Sequence, residues 1–84
     1  MSINKQVIDN ILKSHFKLDD DFELKRDVYL QDELGADMID LLDIAIQFEE
    51  AFGCAILDET CQSWVCVGNI YRYFGITFEG NKDE

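Results

Sequence analysis

Apolar residues recur along the chain with the spacing of helices rather than of strands. Between positions 3 and 16 they form two adjacent rows with a four-residue spacing: Ile3, Val7 and Ile11, and Ile8, Leu12 and Phe16. Such rows lie side by side on one face of an α-helix. Ser2 is suited to cap this helix, and Lys13 and Lys17 suit its C-terminal end. We therefore expect a first helix from about Ile3 to Phe16.

A second helix is predicted from about Met38 to Phe52, with Asp37 as its N-cap and Gly53 as its stop. On a helical wheel, one arc is polar: Asp40, Asp43, Gln47 and Glu50. The rest is mostly apolar: Ile39, Leu41, Leu42, Ala45, Ile46, Phe48 and Phe52. A helix that is apolar over more than half of its circumference lies between two neighbours or keeps some of that surface for a partner.

Two further helices are expected in the C-terminal part of the chain. Asp58 can cap a third helix of one or two turns that ends near Ser63. A fourth helix, from about Val67 to Phe74, is indicated by apolar residues at positions i, i+3, i+4 and i+7, with Gly75 at its C-terminal end. No segment has the pattern of a strand pair.

The segment from Lys17 to Ala36 has no strong periodicity and is long for a loop in a small domain. Its apolar residues can hold it against the core: Leu18, Phe22, Leu24, Val28, Leu30 and Leu34. A short helical turn is expected near Leu30 to Leu34. We predict one all-α domain spanning residues 1–84, with three longer helices, a short third helix and an ordered core of about 3–76. Residues 79–84 are polar and expected to fray.

Composition limits the protein to a single small folded domain. The chain has 84 residues, of which 48% are hydrophobic, so it should fold despite a formal net charge of -11. No stretch approaches the roughly 20 apolar residues that a membrane span requires, and the N-terminus lacks the apolar core of a signal peptide. We therefore expect a cytoplasmic protein without a membrane span, and a monomer.

Acidic residues are concentrated in one part of the chain. The interval from Asp27 to Tyr71 contains ten carboxylates and no Lys or Arg. Such a field repels nucleic acid and favours encounter with basic surfaces. Simple solubility is the alternative explanation, but confinement to one contiguous segment favours a docking surface.

Candidate catalytic and metal-binding residues form no known arrangement. His15 lies inside the first helix with no nucleophile spaced to pair with it, so we expect a partly exposed helix residue and no enzyme. Neither Asp19–Asp21 nor Asp32–Asp43 has the glycine and glutamate spacing of an EF-hand, so no specific metal site is predicted, although loose divalent-cation binding stays open. Cys54, Cys61 and Cys66 have neither zinc-ribbon nor disulfide-framework spacing. Reduced, partly buried thiols are expected.

Residues 32–52, with the sequence DELGADMIDLLDIAIQFEEAF, resemble the signature of acyl carrier proteins. The resemblance is most specific at Leu34–Asp37 and at Phe48–Phe52. The order and lengths of the predicted helices from Ile3 to Phe74 are also similar to that family. The resemblance implies an acyl-carrier-like four-helix bundle that works in or beside fatty acid biosynthesis, polyketide or related acyl metabolism.

The resemblance also implies where a cofactor and partners would bind. Family members attach 4′-phosphopantetheine to a serine at the position of Met38, just after Asp37. A methionine has no hydroxyl to attack the diphosphate of coenzyme A, so we expect no cofactor on this chain. Five carboxylates correspond to the recognition helix of the family: Asp37, Asp40, Asp43, Glu49 and Glu50. In the family these residues meet basic surfaces of acyl synthases, transferases and the phosphopantetheinyl transferase, and the alternative is a solvated helix face with an N-cap.

Three explanations of Met38 are open, and the preferred one is that it covers nearby apolar surface. It could also block the mouth from which an arm would emerge, making the protein a decoy, or it could be an experimental substitution. Other departures from the family are the missing proline near Leu57, Cys66 in place of a capping hydroxyl residue, and Trp64 in place of a smaller residue. The departures could enlarge or reshape the interior pocket.

Together these observations predict a non-catalytic acyl-carrier-like protein that docks on basic enzyme surfaces through its acidic second helix. The alternative is a structural or regulatory protein that uses the same acidic bundle for a basic partner outside acyl metabolism.

Overall fold

The computed structural model describes residues 3–76, which form four α-helices. They are α1 (Lys5–Phe16), α2 (Met38–Phe52), α3 (Asp58–Gln62) and α4 (Val67–Tyr73). The predicted all-α bundle is therefore confirmed. One isolated antiparallel bridge between Tyr29 and Cys66 was not predicted. No helix within residues 3–76 is long and apolar enough to cross a membrane.

The first helix begins later than the sequence suggests. Asn4 is its N-cap, and the Asn4 side chain accepts a hydrogen bond from the Val7 N–H at 3.0 Å. The prediction of a cap at Ser2 and a start at Ile3 is corrected accordingly, and Ser2 itself lies outside the described residues. The helix ends at Phe16, and the C-cap residue Lys17 has a φ of 56° and donates its N–H to the Lys13 carbonyl.

The second helix supplies more buried core residues than any other described helix because it packs against both α1 and α3. Its buried residues are Leu41, Ile44, Ala45, Phe48 and Phe52. The long loop is held against this core, as predicted, by Leu24, Val28 and Leu30, which are buried, and by Leu18, Phe22 and Leu34, which are partly buried. The expected turn at Leu30–Leu34 is present, with the N–H groups of Glu33 and Leu34 both donating to the Tyr29 carbonyl.

The long loop is also hydrogen-bonded to the start of α4. The N–H of Gly68 donates to the Arg26 carbonyl at 2.8 Å, and the N–H of Val67 donates to the Val28 carbonyl at 2.9 Å. A Cβ atom at position 68 would lie 2.9 Å from both the Cβ and the carbonyl oxygen of Arg26. Glycine is therefore required there by the close approach of two backbone segments.

The last two helices differ slightly from their predicted boundaries. Leu57 occupies the N-cap position of α3 without a side-chain hydrogen bond, so Asp58 is the first helical residue rather than the cap. The fourth helix ends at Tyr73 and is followed by Gly75 at a φ of 76°. It has seven residues against five in α3, so α3 is the shortest of the four described helices, as predicted. The predicted frayed tail, residues 79–84, lies outside the described residues.

Candidate functional site

The candidate site is built on the first turn of α2. Gly35 adopts a φ of 73°, and the N–H of Ala36 donates to the Leu30 carbonyl at 2.8 Å, which ties the approach to the helix to the long loop. Asp37 is the N-cap, as predicted: its Oδ1 accepts the Asp40 N–H at 2.9 Å, and Asp40 Oδ2 accepts the Asp37 N–H at 3.1 Å. This reciprocal pair forms a capping box that holds the first turn rigid.

Met38 is the first residue of α2, and 60% of it is exposed. The residue is therefore more exposed than buried, and the covered part is available to shield nearby apolar surface, so the preferred explanation stays a prediction. Covalent attachment of phosphopantetheine requires an oxygen nucleophile at this position. The thioether of Met38 supplies none, so the residues present do not fit that group.

Asp40 contacts α1 as well as the cap. His15 Nε2 lies 2.9 Å from Asp40 Oδ1, and Gln47 Nε2 lies 3.1 Å from His15 Nδ1. Both contacts are satisfied when His15 carries its proton on Nε2, donates to Asp40 and accepts from Gln47. The hydrogen bond from His15, together with that from the Asp37 N–H, holds the pKa of Asp40 below its usual value. His15 is half-buried, and its two contacts join α1 to α2, which was not foreseen from its position within α1.

Glu49 is also engaged within the protein. Its Oε2 accepts a hydrogen bond of 2.6 Å from the N–H of Ile56, in the segment that connects α2 to α3. The side chain is half-buried. Asp37, Asp40 and Glu49 thus all have intramolecular roles besides their predicted part in docking.

The outward face of α2 combines acidic and aliphatic side chains. On α2 its members are Ile39, Asp43, Ile46 and Glu50, which lie at positions i, i+4, i+7 and i+11 and are all exposed. The two isoleucines are 66% and 50% exposed, although the helical wheel groups them with the packed residues. Leu57, at the start of α3, is 65% exposed. We refer to these five residues as the outward face.

Aromatic rings fill the interior behind the outward face. Phe48 packs against Trp64, Phe74 and Phe52, with ring centroids 6.1, 5.3 and 6.2 Å apart, and Phe52 lies 5.1 Å from Phe74. Trp64 is buried. The tryptophan noted as a departure from the family therefore contributes to a packed aromatic cluster.

The three cysteines are free thiols, as expected. Cys61 is buried, and desolvation, reinforced by the charge of Asp58, raises the pKa of its thiol. Arg26 and Arg72 line the same surface pocket as Cys66. The sequence separation of 40 residues between Arg26 and Cys66 concealed this proximity.

These features define an acyl-carrier-like bundle, and comparisons with known proteins agree with that class. The chain is 38% identical over 42 residues to acyl carrier proteins of Bradyrhizobium sp. (strain ORS 278), Rhodopseudomonas palustris (strain TIE-1) and Nitrobacter hamburgensis. The match covers 50% of this chain and 53% of each relative, so the chain spans about half the length of these relatives. No protein-family model matches the chain.

The fold is similar to that of a solved structure from Mycobacterium tuberculosis, a candidate acyl carrier protein. The TM-score is 0.71 with 24% sequence identity, over 80% of this chain and 88% of the other. At this identity the likeness concerns the fold. Together, the fold and the partial sequence matches confirm the predicted resemblance to the acyl carrier protein family.

Proposed function

We propose that the protein is a non-catalytic, acyl-carrier-like docking protein that binds basic surfaces of acyl-metabolism enzymes and holds no phosphopantetheine at Met38. The observation that supports this proposal best is the first turn of α2. An intact capping box presents residue 38 on an exposed helix start, while the residue itself lacks a hydroxyl. The presenting structure is kept and the attachment chemistry is absent.

The outward face supports docking on a surface that is both basic and apolar. Asp43 and Glu50 alternate with Ile39 and Ile46 along one side of the helix, and Leu57 adds a further exposed aliphatic side chain at the start of α3. Carboxylates at such positions speed encounter with Lys and Arg, whereas desolvated aliphatic contacts lengthen the life of the complex. Acyl synthases, transferases and phosphopantetheinyl transferases are the partner classes that we propose.

The same surface suits a second function, in which the protein regulates or supports a basic partner outside acyl metabolism. This alternative fits the exposed, hydroxyl-free side chain of Met38 equally well, because it requires no carried acyl group. The two functions differ in whether restoring a hydroxyl at position 38 restores a carrier.

The test is the Met38→Ser variant, incubated with coenzyme A and a broad-specificity phosphopantetheinyl transferase. The serine hydroxyl would lie beside Asp37 at a helix N-terminus, where unpaired N–H groups favour an incoming phosphate. Intact-mass analysis should show the gain of one phosphopantetheine on the variant and none on the unmutated protein. Thermal stability should change little, because position 38 is exposed.

A companion variant tests the outward face on the same background. Adding Asp43→Lys to Met38→Ser should lower the rate of phosphopantetheine attachment. This decrease should become smaller as salt rises, because salt screens the long-range attraction between the acidic helix and a basic enzyme surface. Circular dichroism checks that both variants fold. A folded Met38→Ser protein that gains no mass would exclude acyl-carrier-like docking on this enzyme and favour the alternative partner class.

A further inference from the structure

The connection between α2 and α3 is held at three points by one residue, Glu49. Its carbonyl accepts hydrogen bonds from the N–H groups of Gly53, at 2.8 Å, and Cys54, at 3.3 Å. Its carboxylate reaches seven residues ahead to the N–H of Ile56 at 2.6 Å. Gly53 has a φ of 67°, which lets the chain turn back towards Glu49. The side chain of Glu49 thus helps to hold the backbone of this connection in place.

This arrangement determines the direction in which Leu57 points. Side chains alternate across an extended backbone, and Leu57 has extended dihedral angles, φ −69° and ψ 145°. Ile56 is 7% exposed, whereas Leu57 is 65% exposed. Because Glu49 holds the N–H of Ile56 while the Ile56 side chain is buried, Leu57 is directed outward. The Leu57 carbonyl then accepts the N–H groups of Thr60 and Cys61, so the start of α3 depends on the same anchor.

The next residue along the helix is in a different environment. Glu50 is exposed on the outward face, near Ile46, while Glu49 is half-buried. Two adjacent glutamates therefore have different relations to a docking partner. Removing the charge of Glu50 alters the electrostatic field at the surface, whereas removing the acceptor of Glu49 releases the connection that carries Leu57.

We propose that Glu49 is a positioning residue: it acts on docking through the backbone of Ile56 and the side chain of Leu57, while Glu50 acts through its charge. The proposal rests on the proposed function, because it concerns the same docking face. It predicts that the oxygen acceptor at position 49 matters more than its charge.

The experiment compares Gln and Ala at both positions in the Met38→Ser protein. The measured quantity is kcat/KM for phosphopantetheine attachment by a broad-specificity transferase, at low and high salt. An amide oxygen can replace a carboxylate as acceptor for the Ile56 N–H, so Glu49→Gln should retain most of the rate that Glu49→Ala loses. Glu50→Gln and Glu50→Ala should both lower kcat/KM by about two- to fivefold relative to the Met38→Ser protein. This is the size of effect expected from the loss of one exposed charge.

Salt dependence and Leu57 provide the discriminating measurements. Glu49→Ala should lower kcat/KM by about tenfold, the size expected when one aliphatic contact is misplaced. This decrease should persist at high salt, whereas the decrease caused by the Glu50 variants should become smaller. Leu57→Ala should lower kcat/KM as much as Glu49→Ala does. The double variant should lower it no further, because the effects of substitutions at residues that act as one unit are not additive. Amide hydrogen exchange at Ile56 should accelerate in Glu49→Ala but much less in Glu49→Gln.

The outcomes separate the two proposals. If Met38→Ser itself gains no phosphopantetheine, the proposed function fails and the positioning role fails with it. If Met38→Ser is modified but Glu49→Gln is as slow as Glu49→Ala, with a loss that shrinks in salt, Glu49 contacts the partner by charge and only this inference is overturned. Should Glu49→Ala fail to fold, the comparison of Glu49→Gln with Glu50→Gln decides between the same two outcomes.

Discussion

At the scale of single residues, the acidic side chains of α2 fall into two groups. Asp37 and Asp40 cap the helix, and Glu49 holds the following connection. Asp43 and Glu50 are exposed on the outward face. A substitution in the first group should therefore change stability as well as the proposed docking, whereas a substitution in the second group should test the proposed docking alone.

Asp40 should make the stability of the protein depend on acid pH. Its pKa in the folded protein is lowered by the hydrogen bond from His15 and by that from the Asp37 N–H. A lowered folded pKa gives stability that is present above the unfolded value of 3.8 and lost as the pH falls through the folded pKa. The difference in melting temperature between the unmutated protein and Asp40→Asn should therefore be larger at about pH 5.5 than at about pH 2.5.

The control for this prediction is Asp43→Asn, in which an exposed carboxylate on the same helix is neutralised. The difference in melting temperature between Asp43→Asn and the unmutated protein should vary less over the same pH range, because this substitution removes no hydrogen bond from His15. Equal pH profiles for the two variants would mean that the contact with His15 does not contribute to stability.

At the scale of elements, Tyr71 joins three parts of the bundle. Its hydroxyl donates to the Asp9 carboxylate on α1 and contacts the Leu24 carbonyl of the long loop at 3.2 Å. Lys5 forms an ion pair with Asp9 at 2.7 Å and lies 5.3 Å from the centroid of the Tyr71 ring. Burial, with the neighbouring Asp9, raises the pKa of Tyr71, so the hydroxyl stays protonated as a donor.

Tyr71→Phe should destabilise the bundle by about 1–2 kcal/mol, because the half-buried Asp9 and the Leu24 carbonyl lose a shared donor while the ring remains. In a domain of this size each kcal/mol lowers the melting temperature by about 4–8 °C. Tyr73→Phe is the matched control: Tyr73 is on the same helix and exposed, so its loss should be below about 0.5 kcal/mol. Thermal unfolding followed by circular dichroism measures both, and equal losses would argue against the hydrogen bond as the cause.

At the scale of the whole molecule, we expect charge repulsion to limit the stability of the fold. The formal net charge is -11, and the ten carboxylates between Asp27 and Tyr71 have no Lys or Arg among them. Salt should therefore raise the melting temperature by screening, and millimolar magnesium or calcium should raise it by binding loosely to the folded protein. Scans from about 10 mM to 1 M salt, where the Debye length falls from about 30 to 3 Å, test this prediction. A melting temperature that neither salt nor cations move would show that repulsion is not limiting.

The second helix was the most accurately predicted element. Its bounds, its cap at Asp37 and its stop at Gly53 follow from residues within a few positions of one another, and the structure agrees with them. The starts of α1 and α3 were predicted less accurately: Asn4 rather than Ser2 caps α1, and Asp58 lies inside α3 rather than before it.

The sequence by itself determined the fold class, the helix order and the missing hydroxyl at Met38, because periodicity, caps and side-chain chemistry are local properties of the chain. Only the tertiary structure decided which acidic residues face outward. His15 is 25 residues from Asp40, and the Ile56 N–H reaches Glu49 only after the chain has reversed at Gly53. Ile39 and Ile46 are exposed because α1 and α3 cover other parts of α2, and a helical wheel cannot show where neighbouring helices lie.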